Sequence, residues 1–222
     1  MNPYVQRLIE LYSQHANHEK AKWAKDYMRN QFDFLGIPSP LRRTLNKQFM
    51  KEHGVPAGSF LKKVVVACWE LPEREYQYAA LDLLLKNKET VTPDDMRWLE
   101  GLLVKKSWWD TIDVLSPHVI GSMLVRFSEL IPGYPEKWIN NENIWMQRSA
   151  ILYQLYYKEK TDEERLYRYI LHRANSDEFF VQKAIGWALR QYARTAPVSV
   201  KSFVLAHELK PLSRREALKH IG

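Results

Sequence analysis

The sequence predicts an all-α fold of stacked helix pairs, on three observations. Apolar residues recur at three and four positions in segments of ten to eighteen residues, separated by Pro, Gly, Asn or Asp. Strand-like alternation is nearly absent, and VVVA at 64–67 sits among helix-compatible residues and reads as a buried helix turn. Third, YQYA at 76–79, MQRS at 146–149 and VQKA at 181–184 share a glutamine in second place, and their starts lie 70 and then 35 residues apart. A step of 35 fits a helix pair that cannot bury its apolar face alone and must stack on its neighbours.

In order, the helices are expected over 3–15, 19–32, 40–53, 59–70, 73–87, 93–104, 109–129, 135–140, 143–157, 161–173, 177–194 and 197–207. Proline-containing joints mark the changes of direction: FLGIPSP at 34–40, HGVPAG at 53–58, ELPE at 70–73, TPDD at 92–95 and IPGYPEKW at 131–138. TPDDM and TDEE supply capping oxygens followed by acids that suit the positive helix end. Pro117 is expected to kink or split the long segment 109–129. None of the joints is long enough for a linker, which places the whole chain, 1–222, in one domain.

Composition narrows the function. The chain has 222 residues, 45% hydrophobic and 27% charged, ordinary for a folded protein. Its net charge is +7; residues up to Tyr157 carry +2 and the remainder +5, so the excess is denser toward the C-terminus and favours a polyanionic partner. The one cysteine, Cys68, has no intrachain disulfide partner and reads as a packed thiol in a reduced, cytoplasmic compartment. No apolar run reaches the roughly 18 residues of a membrane span, and MNPYVQRLIE lacks the order of a signal peptide. The histidines show no HExxH spacing or cysteine companions, so no metal is expected.

Extending the 35-residue register adds TIDV at 111–114 and LRRT at 41–44, and puts Arg43, Tyr78, Asp113, Arg148 and Lys183 in one column. In a stack they form a polar stripe on one face. KKSWWDTIDVL at 105–115 crosses that stripe: Trp109 and Asp113 are four apart and share a helix face, while Trp108 must point elsewhere. Trp187 lies four residues after Lys183. Each residue taken alone has a plainer reading: Trp187 as core, Asp113 as a cap or salt-bridge partner, Arg148 and Lys183 as surface charges.

Basic groups with indoles suit nucleic acid, yet a carboxylate in such a groove repels phosphate. It asks instead for a cationic target or a water to be oriented. An indole face stabilises a cation by roughly 0.5–2 kcal/mol, and a carboxylate about 4 Å from a positive charge gains on the order of 4 kcal/mol at an effective dielectric near 20. Both favour a transition state that gathers positive charge. Loss of a positively charged purine from its sugar is such a reaction, and one carboxylate suffices because the departing base needs no protonation.

HEKAKWAKDYMRN, FLGI, LPERE, ALDLL, KSWWDTID, NIWMQRSAI, EFFVQKAIGWALRQYA and LSRREALKHI together closely resemble the AlkD-type alkylpurine DNA glycosylases, over almost the whole chain. The resemblance implies HEAT-like helical repeats stacked in a right-handed curved solenoid with a concave basic groove. It implies a monofunctional glycosylase acting on cationic N7- and N3-alkylated purines in double-stranded DNA without base flipping, as a monomer, with no metal, cofactor or lyase Schiff base. Onto this chain it carries Asp113 as the catalytic carboxylate, Trp109 and Trp187 as the aromatic pair around the deoxyribose, Arg148 as a backbone-holding residue and Tyr27 as a helix-borne tyrosine lining the site. Pro38 departs from a glutamine that contacts DNA in some resembling enzymes, and supplies neither a side-chain donor nor a backbone N–H.

Arg43, Lys183, Arg190, Arg194, Arg214 and Arg215 are further candidates for phosphate contacts, the first two through the register. The expected setting is cytoplasmic, nucleoid-associated when bound to DNA. The competing readings are a HEAT-like scaffold that binds DNA or a protein without catalysis, and an interaction module whose stripe takes an acidic peptide. Lesion-dependent base release separates them from the enzyme.

Overall fold

The computed structural model describes residues 2–219, so the last two residues of the LSRREALKHI motif, His220 and Ile221, lie outside it. The described residues are helical, with one isolated extended bridge between Asp33 and Glu73. They divide into two compact units, 1–91 and 92–222.

The first unit holds α1 (Pro3–Ser13), α2 (His18–Tyr27), α3 (Ser39–His53), α4 (Gly58–Glu70) and α5 (Arg74–Asn87). Segment 19–32 was expected to be helical throughout but stops at Tyr27, because Arg29 and Asn30 take left-handed φ of 55° and 57°. The chain then runs back to α5: the Arg74 N–H donates to the Asp33 carbonyl at 2.8 Å and the Arg74 guanidinium lies 3.7 Å from the Phe32 ring centre. The loop before α3 hangs on one buried acid, since Glu75 accepts from the backbone N–H groups of Leu35, Gly36 and Ile37 at 3.0, 2.8 and 3.1 Å. Cys68 is buried inside α4, and burial pushes the thiol up to about 12, as a packed cysteine requires; of the VVVA turn only Val64 and Val65 are buried, while Val66 is exposed, so the expected buried turn holds for one face of the helix alone.

The second unit holds α6 (Met96–Val104, entered by a 3₁₀ turn at Pro93–Asp95), α7 (Trp109–Val114), a π turn at Leu115–Ile120 and α8 (Gly121–Arg126). After a 3₁₀ turn at Ser128–Leu130 come α9 (Pro135–Ile139), α10 (Ile144–Leu152), α11 (Glu163–His172), α12 (Phe179–Tyr192), α13 (Pro197–Ala206) and α14 (Pro211–Ala217). Pro117 falls in the π turn. A proline there has no N–H to give the residue 113 carbonyl and its ring would strike it; the wider turn relieves both faults. Helix α14 was not foreseen from the sequence.

The 35-residue step is physical. Helices α3, α5, α7, α10 and α12 start at residues 39, 74, 109, 144 and 179. The helices or 3₁₀ turns that follow each of them and lead into the next repeat start at 58, 93, 128, 163 and 197. The recurring glutamine has one job in each unit where it occurs: its side-chain amide donates to the carbonyl six residues earlier, from Gln77 to Leu71, Gln147 to Asn141 and Gln182 to Ser176, at 2.9, 2.7 and 3.0 Å. It thereby fastens the loop inside each helix pair.

Successive pairs in the second unit are then stitched by bonds between residues 31 to 36 apart, among them Ser116 to the Ser149 carbonyl, Tyr157 to the Gly121 carbonyl, Ser199 to Glu163 and Ser213 to the Gln182 carbonyl. Within this unit two glycines permit close approaches between repeats. A Cβ on Gly121 would stand 2.1 Å from the Tyr153 carbonyl oxygen, and one on Gly186 would stand 2.4 Å from Glu216 Cβ, so α14 sits directly on α12. Among the described residues no single helix is long and apolar enough to cross a membrane.

Candidate active site

The second unit brings the starts of three successive repeat helices together. Helix α7 opens with Trp109, preceded by Trp108 in extended conformation, and carries Asp113 one turn further on. Helix α10 carries Arg148 and packs against both α7 and α12. The Arg148 guanidinium meets Asp113 side by side: Nε donates to Oδ1 and Nη2 to Oδ2, both at 2.8 Å. Its remaining arm, Nη1, donates to the Phe180 carbonyl at 2.5 Å. Three fixed bonds thus orient the guanidinium, and through it the carboxylate plane.

An aromatic cluster is joined to this pair through Phe180. The Trp108 ring lies 5.4 Å from Trp145 and 5.1 Å from Phe180, and Trp145 lies 5.0 Å from Phe180. Phe180 therefore contributes twice, its ring to the cluster and its carbonyl to Arg148. Trp108 is a packing residue, diverging from its neighbour as helical geometry demands.

The Asp113 side chain keeps 19% of its surface exposed, against 5% for Arg148. The acid therefore has an open side and the cation does not. Burial pushes the Asp113 carboxyl above the usual carboxylate range; the Arg148 hydrogen bonds and charge pull it back, and Asp110 adds a smaller upward push. Each carboxylate oxygen gives one lone pair to arginine and retains another for a water or a cation.

Tyr156 is a neighbour the sequence did not single out. Its ring stacks on His118 at 4.6 Å, and its hydroxyl pKa is raised by burial and by the Asp113 charge, with Arg194 acting in the opposite sense. His118 comes from the π turn that follows Asp113. The signal lay in the proline: a widened turn after α7 presents a different face from the one a straight helix would show.

Trp109 and Trp187 are both half-buried, on α7 and α12. Lys183 and Arg190 both reach Glu216 of α14, whose carboxylate side chain is only 6% exposed. In the first unit Tyr27 is exposed and its ring stacks on Trp23 at 5.5 Å, nearly parallel at 9°, giving α2 a flat aromatic face without buried residues. Arg43 is exposed, while its neighbour Arg42 is the buried one, 2.8 Å from Asp82. Pro38 sits at the start of α3 with φ −59° and contributes no capping bond.

A family model described as DNA alkylation repair enzyme matches residues 8–221. No curated protein sequence matches the chain. Among solved structures, a predicted DNA alkylation repair enzyme from Enterococcus faecalis is 36% identical with a TM-score of 0.86, covering 93% of this chain and 97% of that one. AlkD2 from Streptococcus mutans shares 18% identity at a TM-score of 0.60, over 79% of this chain and 88% of the other. Smu.31 from Streptococcus mutans UA159 shares 17% at 0.59, over 95% and 100%. The last two share the helical-repeat fold. The match to the family model and the likeness to the Enterococcus protein carry more: the chain belongs to the DNA alkylation repair enzyme family.

Proposed function

We propose that the protein is a monofunctional DNA glycosylase that hydrolyses the N-glycosidic bond of cationic N7- and N3-alkylated purines in double-stranded DNA without extruding the base. The observation that carries this reading is the Asp113 carboxylate, held flat by two bonds from Arg148 and open to solvent on one side. An acid so fixed costs little reorganisation when charge develops beside it.

In the proposed reaction the bond between the sugar C1′ and the purine N9 breaks, and its electron pair leaves with the base. Alkylation has already placed a positive charge on that base, so it departs neutral, and the charge passes to the sugar as an oxocarbenium-like cation. Asp113 faces that cation, and Trp109 and Trp187 offer indole faces to it. A water held by Asp113 then attacks C1′, loses its proton to the carboxylate and leaves an abasic sugar. Arg148 is a positioning residue in this scheme, because each of its three nitrogens already donates to Asp113 or the Phe180 carbonyl and its side chain is only 5% exposed.

Lesion selection follows from the same chemistry: a base that carries its own charge leaves without a proton donor, whereas a neutral lesion needs one. Incubation with a duplex containing N7-methylguanine is expected to release free base and leave alkali-sensitive abasic sites, with near inactivity on a neutral lesion in the same sequence. No release from the methylated duplex contradicts the proposal.

A further inference from the structure

The tail of the second unit holds a charge centre that the glycosylase reading does not use. Glu216 of α14 receives three cations: Lys183 Nζ at 3.2 Å, Lys219 Nζ at 2.9 Å and the Arg190 guanidinium. The carboxylate side chain is 6% exposed, while Lys183, Arg190 and Lys219 keep 38%, 24% and 48% of theirs. The acid is thus sealed in and its partners look outward. Gly186 makes this possible, because a side chain there would collide with Glu216.

Two of these cations lie on the face of α12 that bears Trp187. At 100° per residue, Phe179, Lys183, Trp187 and Arg190 fall within a sector of about 80°. All four retain exposed surface. A duplex held against Trp187 therefore meets Lys183 one turn before the indole and Arg190 just under one turn after it. Arg194, exposed just past the end of α12, has no carboxylate partner among the described residues.

We infer that Glu216 is a built-in counter-charge that competes with DNA phosphate for Lys183 and Arg190, and so holds down the affinity of the α12 face for undamaged duplex. This rests on the DNA-binding part of the proposed function. The sign follows from Coulomb's law: the four groups carry a net +2, and replacing the acid with a neutral isostere leaves +3 facing the same phosphates. An enzyme that must pass over long stretches of normal DNA gains from such a limit, since its non-specific affinity is almost wholly electrostatic.

The test is binding of the full chain to an undamaged duplex, followed by fluorescence anisotropy across a salt series. Wild-type protein that fails to bind removes the DNA reading itself, before any variant is compared. Given binding, Glu216→Gln is expected to tighten the affinity on the order of fivefold to tenfold at physiological salt, with a steeper salt dependence. A folded Glu216→Gln protein that binds no more tightly overturns the inference. Should that variant not fold, a pair on the unaltered centre decides. Replacing Arg194, which has no carboxylate partner among the described residues, by Gln (Arg194→Gln) is expected to reduce the log–log salt slope by about 0.9, and replacing Lys183, already held by Glu216 (Lys183→Gln), by less than about half of that. A full loss of about 0.9 from Lys183→Gln shows that its charge was free for DNA all along, and overturns the inference equally.

Discussion

Asp113 and Glu216 are both carboxylates reached by cations from neighbouring repeat helices, and they end in opposite electrostatic states. Asp113 has one guanidinium and an open side, and burial leaves its pKa raised. Glu216 has three cations and almost no exposure, and hydrogen bonds, first from Lys219 and then from Arg190 and Lys183, hold it down to about 2. The difference lies in the number of partners. Three cations over-satisfy a carboxylate and spend it on structure; one guanidinium orients it and leaves its charge available.

The largest effect expected on this contrast, short of removing Asp113, comes from Arg148→Met. It leaves Asp113 and the Phe180 carbonyl without their donors, so thermal unfolding should move down by an amount matching about 3 kcal/mol. Single-turnover excision should fall about tenfold to a hundredfold through lost orientation. Because Arg148 pulls the Asp113 pKa downward, its removal lets that pKa climb further, and the acid limb of the excision–pH profile should shift to higher pH. An unmoved limb separates Asp113 from the titrating group.

Next in size, Trp187→Ala is expected to slow excision about tenfold at saturating enzyme while changing undamaged-duplex affinity less, in line with one cation–π contact. Melting curves taken alongside distinguish this from lost packing, since Trp187 is half-buried.

The smallest effect tests the opposite signs directly. Glu216 has a depressed folded pKa, so its contribution to stability is present above its unfolded value near 4.5 and is lost as pH falls toward about 2. Asp113 has a raised folded pKa, so ionisation costs the folded state, and that cost disappears as pH falls below the ordinary carboxylate value. Melting temperatures between pH 5 and 2 should therefore decline less steeply in Glu216→Gln than in wild type, and at least as steeply in Asp113→Asn. Parallel curves for all three proteins contradict the opposite pKa shifts of the two acids.

Much of this was legible in the sequence because a repeat writes the same physics several times. The shared glutamine at 77, 147 and 182 marks a bond to the carbonyl six residues back, and the 35-residue column that joins Asp113 to Arg148 is the spacing of their ion pair. What escaped was written once. Helix α14 is a short segment, PLSRREA, whose acid is buried only because Gly186 lies beneath it, so Glu216 gives no periodic signal. The column at 43 names an exposed arginine, while the buried ion pair belongs to Arg42, one residue aside. Tyr156 and His118 meet only through the π turn, a break in period that pattern reading treats as a simple kink.

In the proposed reaction the Asp113 carboxylate, open on one side, lowers the free energy of the sugar cation, which single-turnover base release from an N7-methylguanine duplex by wild type and by Asp113→Asn, at matched folding and saturating protein, tests most simply. Asp113→Asn is expected to lower the rate about 10²–10⁴-fold with DNA binding largely kept. Release at the wild-type rate by a folded Asp113→Asn protein contradicts it.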